Sequence, residues 1–268
     1  MRFGACVETL YTEIPWKDRF LAAKMDGFEC VEFWDWRSVD LQKTKEYADA
    51  AGIQISGFNG DADFSPVNPA HKREYLAFLR QSIAAAKTLG APSVTIHSNA
   101  LGPGGIVADH YIGLSNTIKL CSLFDTLKDA SRIAEDNGIL LNLEALNIHT
   151  DHIGNFLAHT QMGAEIVRLI GSSKLRLLYD VYHMQINEGR ICDTLSAYID
   201  CIGHVHIADA PGRHEPGTGE INYRFVLSHL DKLGFQGVVG CELFPATETS
   251  SAVCAIMEVK RTALGHQI

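Results

Sequence analysis

Four residues in the second half of the chain have the types and the addresses of a metal site. Glu144 follows the run ILLNL, Asp180 follows LRLLY, His206 lies within GHVHIAD and Glu242 follows VVGC, with steps of 36, 26 and 36 residues between them. Each closes a short apolar run of strand length. Neighbouring strands lie about 5 Å apart, so four successive strand ends can converge on one ion. Three carboxylates and one imidazole make an oxygen-rich set, suited to Mn²⁺, Mg²⁺ or Co²⁺ more than to a thiolate-loving metal. One such residue at a strand end is ordinarily a helix cap or a solvated loop residue, whereas four in succession point to a shared site.

Other candidates surround this set. The stretch Gly203–Asn222 begins as a period-two strand and becomes a Pro- and Gly-rich loop carrying Asp209, Arg213, His214, Glu215 and Glu220. That is more ionisable chemistry than a turn requires, and it reads as a binding surface. Arg213 could hold a substrate carboxylate through two parallel hydrogen bonds. His204 shares a strand face with His206 but lies deeper, and is expected to be a satisfied core histidine. His183, three residues after Asp180, is balanced between a loop residue and a substrate contact. Glu8, Asn59 and His97 stand at earlier strand ends and are further candidates for substrate contact; Glu32 has a similar address, and none of these carries a spacing signal. Trp34 and Trp36 are either an apolar wall of the pocket or packing under a loop. The glycines of LGPGG (Leu101–Gly105) read as a turn, because the lysine of a phosphate-binding loop is missing.

The elements that must position these groups recur as strand followed by helix. Strands are expected from Arg2 and at Cys30–Phe33, Ile53–Phe58, Ser93–Ile96, Ile139–Leu143, Leu175–Tyr179, His204–Ala208 and Val238–Cys241. Helices are expected from Pro15, over Leu41–Ala51 and Ala70–Leu89, up to Asn137, over His159–Ile170, near Thr194–Cys201, over Tyr223–Leu233 and near Ala252–Ala263, several of them stopped by glycine. Eight units in 268 residues are about 33 residues each, the size of a parallel crossover unit. The expected fold is therefore α/β, a single (β/α)8 TIM barrel forming one domain over residues 1–268. An open nucleotide-binding sheet would want GxGxxG after the first strand, and FGACVETLYTE has none.

Composition narrows the partners. A formal net charge of -9 and the lack of a basic run argue against nucleic acid, which leaves small molecules. The seven cysteines are scattered and never form a CxxC pair, as in a reduced cytoplasmic protein. No run reaches membrane-spanning length, and the N-terminus lacks a basic region followed by an apolar one, so a membrane is not expected.

GRHEPGTGEINY (Gly212–Tyr223) followed by GFQGVVGCELFP (Gly234–Pro245) resembles the C-terminal signature of bacterial hydroxypyruvate isomerases. These lie within the xylose isomerase-like barrels, which also contain ketose 3-epimerases. LEALN (Leu143–Asn147), YDVYH (Tyr179–His183) and TLYTEIPWKDRFLAAKMDGFECVEF (Thr9–Phe33) match as well, so the resemblance covers essentially the whole chain. It implies a divalent metal, Mn²⁺ or Mg²⁺ with Co²⁺ as a further candidate, held by Glu144, Asp180, His206 and Glu242, with Glu144 and Glu242 also acting as the acid/base pair. Arg213 and His183 match positions that contact substrate oxygens in the epimerase branch. At the position of His206 the isomerases can carry Gln while the epimerases carry His, so HVHIAD leans one way and GRHEPGTGEINY the other. The resemblance implies a homo-oligomer acting on a sugar or hydroxy-keto acid. The expected reaction interconverts hydroxypyruvate and 2-hydroxy-3-oxopropanoate (tartronate semialdehyde) through an enediolate. A ketose 3-epimerase of the tagatose, ribulose or psicose type, or another small-sugar isomerase, is the alternative. A phosphodiesterase of the endonuclease IV type would need more metal-binding histidines, and a barrel that only binds sugar would need neither catalytic carboxylate.

Overall fold

The computed structural model describes residues 1–265, and in it every expected apolar run becomes a strand. The strands are β1 (Arg2–Cys6), β2 (Cys30–Phe33), β3 (Gln54–Phe58), β4 (Ser93–Ile96), β5 (Leu140–Glu144), β6 (Leu175–Asp180), β7 (Ile202–His206) and β8 (Val238–Cys241). All pair in parallel in the order β3-β2-β1-β8-β7-β6-β5-β4. The ring is completed where β3 meets β4, by the bridge Asn59–Thr95, by Gly60 N–H donating to Thr95 O (2.7 Å) and by Ser93 Oγ donating to Ser56 O (2.8 Å). The fold is a (β/α)8 barrel. Strands β2, β4 and β8 are buried at every position, including the polar side chains Glu32, Ser93 and Thr95, because helices cover the outside of a parallel barrel and its interior is filled.

Nine α-helices occur among the described residues: α1 (Trp16–Met25), α2 (Leu41–Ala51), α3 (Lys72–Leu89), α4 (Asn116–Asn137), α5 (Thr160–Ile170), α6 (Val181–Asn187), α7 (Ile191–Tyr198), α8 (Tyr223–Lys232) and α9 (Thr249–Leu264). Their ends follow local chemistry. The Asp40 and Ser115 side chains accept the backbone N–H of Lys43 and Ile118 at the starts of α2 and α4. Gly52 and Gly138 end the same two helices at φ 64° and 75°, a left-handed conformation that costs a side chain energy.

Helix α6 is not anticipated in sequence. Asp180 caps it directly, accepting the N–H groups of Tyr182 (2.8 Å) and His183 (3.3 Å), so β6 passes into a helix with no loop between. The next helix starts at Ile191, earlier than the expected Thr194, and β7 runs two residues earlier than the period-two pattern indicates. No helix among the described residues is long and apolar enough to cross a membrane.

Candidate functional site

Strand register sets the site. Glu144, Asp180 and His206 are the last residues of β5, β6 and β7, and Glu242 is the first residue beyond β8. Asp180 pairs with His206, His206 with Gly240, and Glu144 with Leu178, so the four side chains arrive at the same end of the barrel. All four are buried, and one ligating atom from each lies within 4.8 Å of all the others. Donors about 2.1 Å from a common ion are about 3 to 4.2 Å apart, so the set fits a divalent cation with little adjustment. His206 Nδ1 lies 3.8 Å from Glu144 Oε1 and 3.6 Å from Glu242 Oε2. His206 Nδ1 and Glu144 Oε1 are buried, 3.8 Å apart and without a hydrogen-bond partner in the protein, a pair of donor atoms that a divalent cation would fit.

The charges agree with that geometry. Burial, reinforced by Glu144 and Glu242, pushes the Asp180 carboxyl up to about 7 despite the opposing pull of Arg213. Glu242 goes the other way: burial works against its charge, but Arg213 and His206 outweigh it and hold the carboxyl well below its usual range. Arg213 reaches both, its Nη2 on Glu242 Oε2 and 3.6 Å from Asp180 Oδ2. Its backbone is left-handed, at φ 57°, and is held there by Arg213 N–H donating to Asp209 O (3.0 Å) and Phe244 N–H donating to Arg213 O (2.9 Å).

A layer of partners fixes each ligand. His206 turns Nε2 toward Glu32 Oε1 (3.2 Å), and His204 Nε2 stands 3.1 Å from Glu32 Oε2. These distances are those of ion pairs, although the angles are too poor for His204 Nε2 and Glu32 Oε1 to count as hydrogen-bonded. Burial opposes charge on Glu32, but the two imidazoles prevail and bring its carboxyl down to about 2. Such a carboxylate behind a ligating histidine orients the ring. Glu144 is held by His97, whose Nε2 is 3.2 Å from Glu144 Oε2 and whose Nδ1 is 2.9 Å from Asp61 Oδ1. Burial disfavours the His97 cation, yet Asp61 and Glu144 raise it to about 10. Trp34 Nε1 donates to Glu242 Oε1, which makes Trp34 a wall of the site, whereas Trp36 donates to Ser82 Oγ (3.0 Å) and packs on α3.

His183 is also here, its Nε2 without a hydrogen-bond partner and 3.4 Å from Asp180 Oδ2. Its tautomer follows from Asn147. Asn147 Oδ1 accepts the N–H groups of Thr150 and Asp151, so Nδ2 is the donor and gives a hydrogen bond of 2.7 Å to His183 Nδ1. The proton of neutral His183 is therefore on Nε2. Burial, helped by Arg213, holds its pKa well below 6.5.

The structure thus brings together Glu144, Asp180, His206, Glu242, His183, Arg213 and His97. Glu8 is instead committed to the backbone, accepting the N–H groups of Trp34 and Asp35, and it borders a cleft of about 550 Å³ between α1 and α2. In that cleft Lys43 pairs with Asp40 (3.9 Å), and Arg19 is committed to the carbonyls of Val7, Thr12 and Ile14. Asn59 lines a cavity of about 10 Å³, one water in size, beneath Glu242 and His206. His204, expected to be a satisfied core histidine, is buried beside Glu32, but its Nε2 has no hydrogen-bond partner. In the loop after β7 the reading of a broad binding surface narrows to Arg213. Asp209 organises the loop by accepting three backbone N–H groups, from Ala210, Gly217 and Ile221. Glu215 accepts Ala246 N–H (2.9 Å), His214 Nδ1 meets Phe244 O (2.7 Å), and Glu220 pairs with Gln185. Asp209, Glu215 and His214 thus satisfy backbone groups of the loop and of the segment after β8. Asp61, Asn147 and His152 were not singled out in sequence. Glu32 was, without a role; the one available signal was HVH, two imidazoles on one strand face in want of a carboxylate.

The geometry has counterparts. The family model described as "Xylose isomerase-like TIM barrel" matches residues 20–258. A hydroxypyruvate isomerase of Escherichia coli (strain K12) is 29% identical over 261 residues, 94% of this chain and 97% of that protein. A 2-oxo-tetronate isomerase of Cupriavidus necator is 29% identical over 260 residues, 94% of this chain and 96% of that protein. A crystal structure described as AP endonuclease, family 2, from Brucella melitensis superposes with a TM-score of 0.87, covering 96% of this chain and 98% of that one; at 24% identity the likeness is one of fold. With a match spanning most of its length and relatives that are isomerases, the chain belongs to the xylose isomerase-like TIM barrel family and is an isomerase.

Proposed function

We propose that this protein is a metal-dependent isomerase of short 2-oxo-3-hydroxy acids, moving the carbonyl between C2 and C3 through an enediolate. Hydroxypyruvate, giving 2-hydroxy-3-oxopropanoate, is the smallest such substrate, and 2-oxo-tetronate is its four-carbon homologue. The observation that carries the reading is the convergence of Glu144, Asp180, His206 and Glu242, with two unpartnered donor atoms facing one another. The difficulty of the reaction is the negative charge that develops on oxygen when a proton leaves the carbon beside a carbonyl. A bound divalent cation supplies Lewis-acid stabilisation of that charge.

The residues divide the remaining work. Glu144, oriented by His97 at Oε2, is the group that collects the substrate proton and returns it one carbon away. Glu242, whose two oxygens accept from Trp34 and Arg213, stays ionised on the other side. His183 offers an Nε2–H to a substrate oxygen, and Arg213 balances the surrounding carboxylates. Burial of Glu144, Glu242 and His183 keeps bulk water from the enediolate. A shift between adjacent carbons needs one base on one face, whereas inversion at C3 of a ketose needs a base on each. Glu144 and Glu242, on β5 and beyond β8, leave the epimerase as the second reading.

The test is a proton NMR time course in D₂O, with metal-stripped and Mn²⁺-loaded protein offered hydroxypyruvate, 2-oxo-tetronate and a panel of ketoses. Mn²⁺-dependent conversion of either keto acid is the expected result. Inversion at C3 of a ketose with both acids untouched would transfer the protein to the epimerases, and no turnover at all would end the enzymatic proposal.

A further inference from the structure

Beside the metal cluster stands a second histidine that the reaction as described leaves without a task. His152, from the loop after β5, is 5% exposed, and its ring lies edge to face with that of His183, centroids 5.0 Å apart. Its Nδ1 is 2.6 Å from the carbonyl oxygen of Gly105, an atom that can only accept, so the proton of the neutral ring is on Nδ1. The other nitrogen, Nε2, is then a bare lone pair, buried and without a partner. The last glycine of the LGPGG loop makes this possible. A Cβ on Gly105 would stand 2.8 Å from His152 Cε1, and the residue has φ +78°, so a side chain there would displace the ring.

The two imidazoles are complementary. His183 presents a donor, Nε2–H, and His152 presents an acceptor, and neither is satisfied by the protein. A hydroxyl can accept from the first and donate to the second, whereas a carboxylate or carbonyl oxygen can only accept and would leave His152 unpaired at a cost. Hydroxypyruvate has no hydroxyl beyond the carbonyl and the C3 oxygen that react, while its four-carbon homologue has one more, on C4. Resting on the isomerase reading above, we propose that His152, held by Gly105, forms with His183 a subsite that reads a substrate hydroxyl beyond the reacting carbons and so selects sugar acids of four or more carbons over hydroxypyruvate. Burial lowers the basicity of the ring, and the charge of Arg213 adds to this, which keeps the acceptor form in place.

The test compares substrates differing by that hydroxyl alone, 2-oxo-3,4-dihydroxybutanoate and 2-oxo-3-hydroxybutanoate, as a ratio of kcat/KM on Mn²⁺-loaded protein. The unreactive pair erythronate and 2,3-dihydroxybutanoate is compared in the same way by calorimetric binding. Wild type should favour the hydroxylated member by about tenfold to a hundredfold. His152→Phe and Gly105→Ala should bring the ratio toward one, and His152→Gln, which returns an acceptor, should restore part of it; the melting curve of each variant checks that it is folded. Turnover by wild type with a ratio near one, or a ratio that survives in folded His152→Phe, overturns the subsite while leaving the isomerase reading intact. Absence of turnover refutes that reading, and the binding ratio still decides on His152.

Discussion

Replacing Glu32 by glutamine takes one charge out of the barrel interior while keeping the shape of the side chain. Glu32 is on β2 and reaches His204 and His206 on β7, with β1 and β8 between them in the sheet. In the folded protein its carboxyl falls from 4.5 to about 2, because the two imidazoles outweigh the penalty of burial. At 1.36 kcal/mol per pKa unit this is about 3 kcal/mol of preference for the ionised form, in line with the cost of removing one partner from a buried pair. The upward shift of His206 is the same interaction seen from its other side and is not added. A depressed carboxyl contributes stability above its unfolded value, near 4.5, and loses it as the pH falls toward 2. At pH 7 Glu32→Gln should therefore show the full deficit, about 6 to 12 °C in Tm for a chain of this size, and the gap from wild type should narrow only in acid. His206 would also lose the group that orients it, so Mn²⁺ affinity should fall about tenfold to a hundredfold. Melting of metal-free protein at pH 7 and titration with Mn²⁺ followed by electron paramagnetic resonance measure the two effects. A variant that melts within about 2 °C of wild type and binds Mn²⁺ equally well would refute an ionised, orienting Glu32.

Gly240→Ala probes the same pairing by sterics: its Cβ would lie 2.0 Å from Glu32 Oε1 and 2.8 Å from His206 Cδ2. The variant should lose about 1–3 kcal/mol in thermal melting and bind Mn²⁺ as poorly as Glu32→Gln. Arg213→Ala leaves Glu242 and Asp180 without their guanidinium, so metal-free protein should lose about 3–5 kcal/mol, and less once Mn²⁺ restores positive charge; equal losses in both forms would count against the shared electrostatics. Glu144→Gln should lower kcat by about 10²- to 10⁴-fold in the D₂O assay while the variant still binds substrate by calorimetry. Mn²⁺ at a hundred times its Kd should stabilise wild type by about 2.7 kcal/mol, reversibly on chelation, and a melting curve indifferent to the metal would contradict the donor set.

How much of this was legible in the chain follows the range of the forces involved. Glu144, Asp180, His206 and Glu242 could be found because each ends an apolar run, and the barrel places strand ends at one mouth. The roles around them depended on contacts between distant segments. Asp61 holds His97 across 36 residues, and Asn147 fixes the tautomer of His183 across another 36. Nothing in the local sequence of NGDADF or NIHTDH marks these residues, because a loop has no period to betray which side chains turn inward. Arg213 and Asp209 looked alike in sequence; the demand of the loop's backbone N–H groups for an acceptor sent Asp209 into the fold, and Arg213 was left to face the carboxylates.

Taken alone, the sequence determined the alternation of strands and helices, the glycine stops and the acidic and imidazole residues at the strand ends, since periodicity, capping and backbone freedom act over a few residues. Closure of the ring decided the rest. Only when β3 meets β4 and the stagger of the strands is set do Glu32 and His206, 174 positions apart, come within 3.2 Å. The positions of His97, His152 and His183 beside the cluster likewise come from packing between loops that no local pattern encodes.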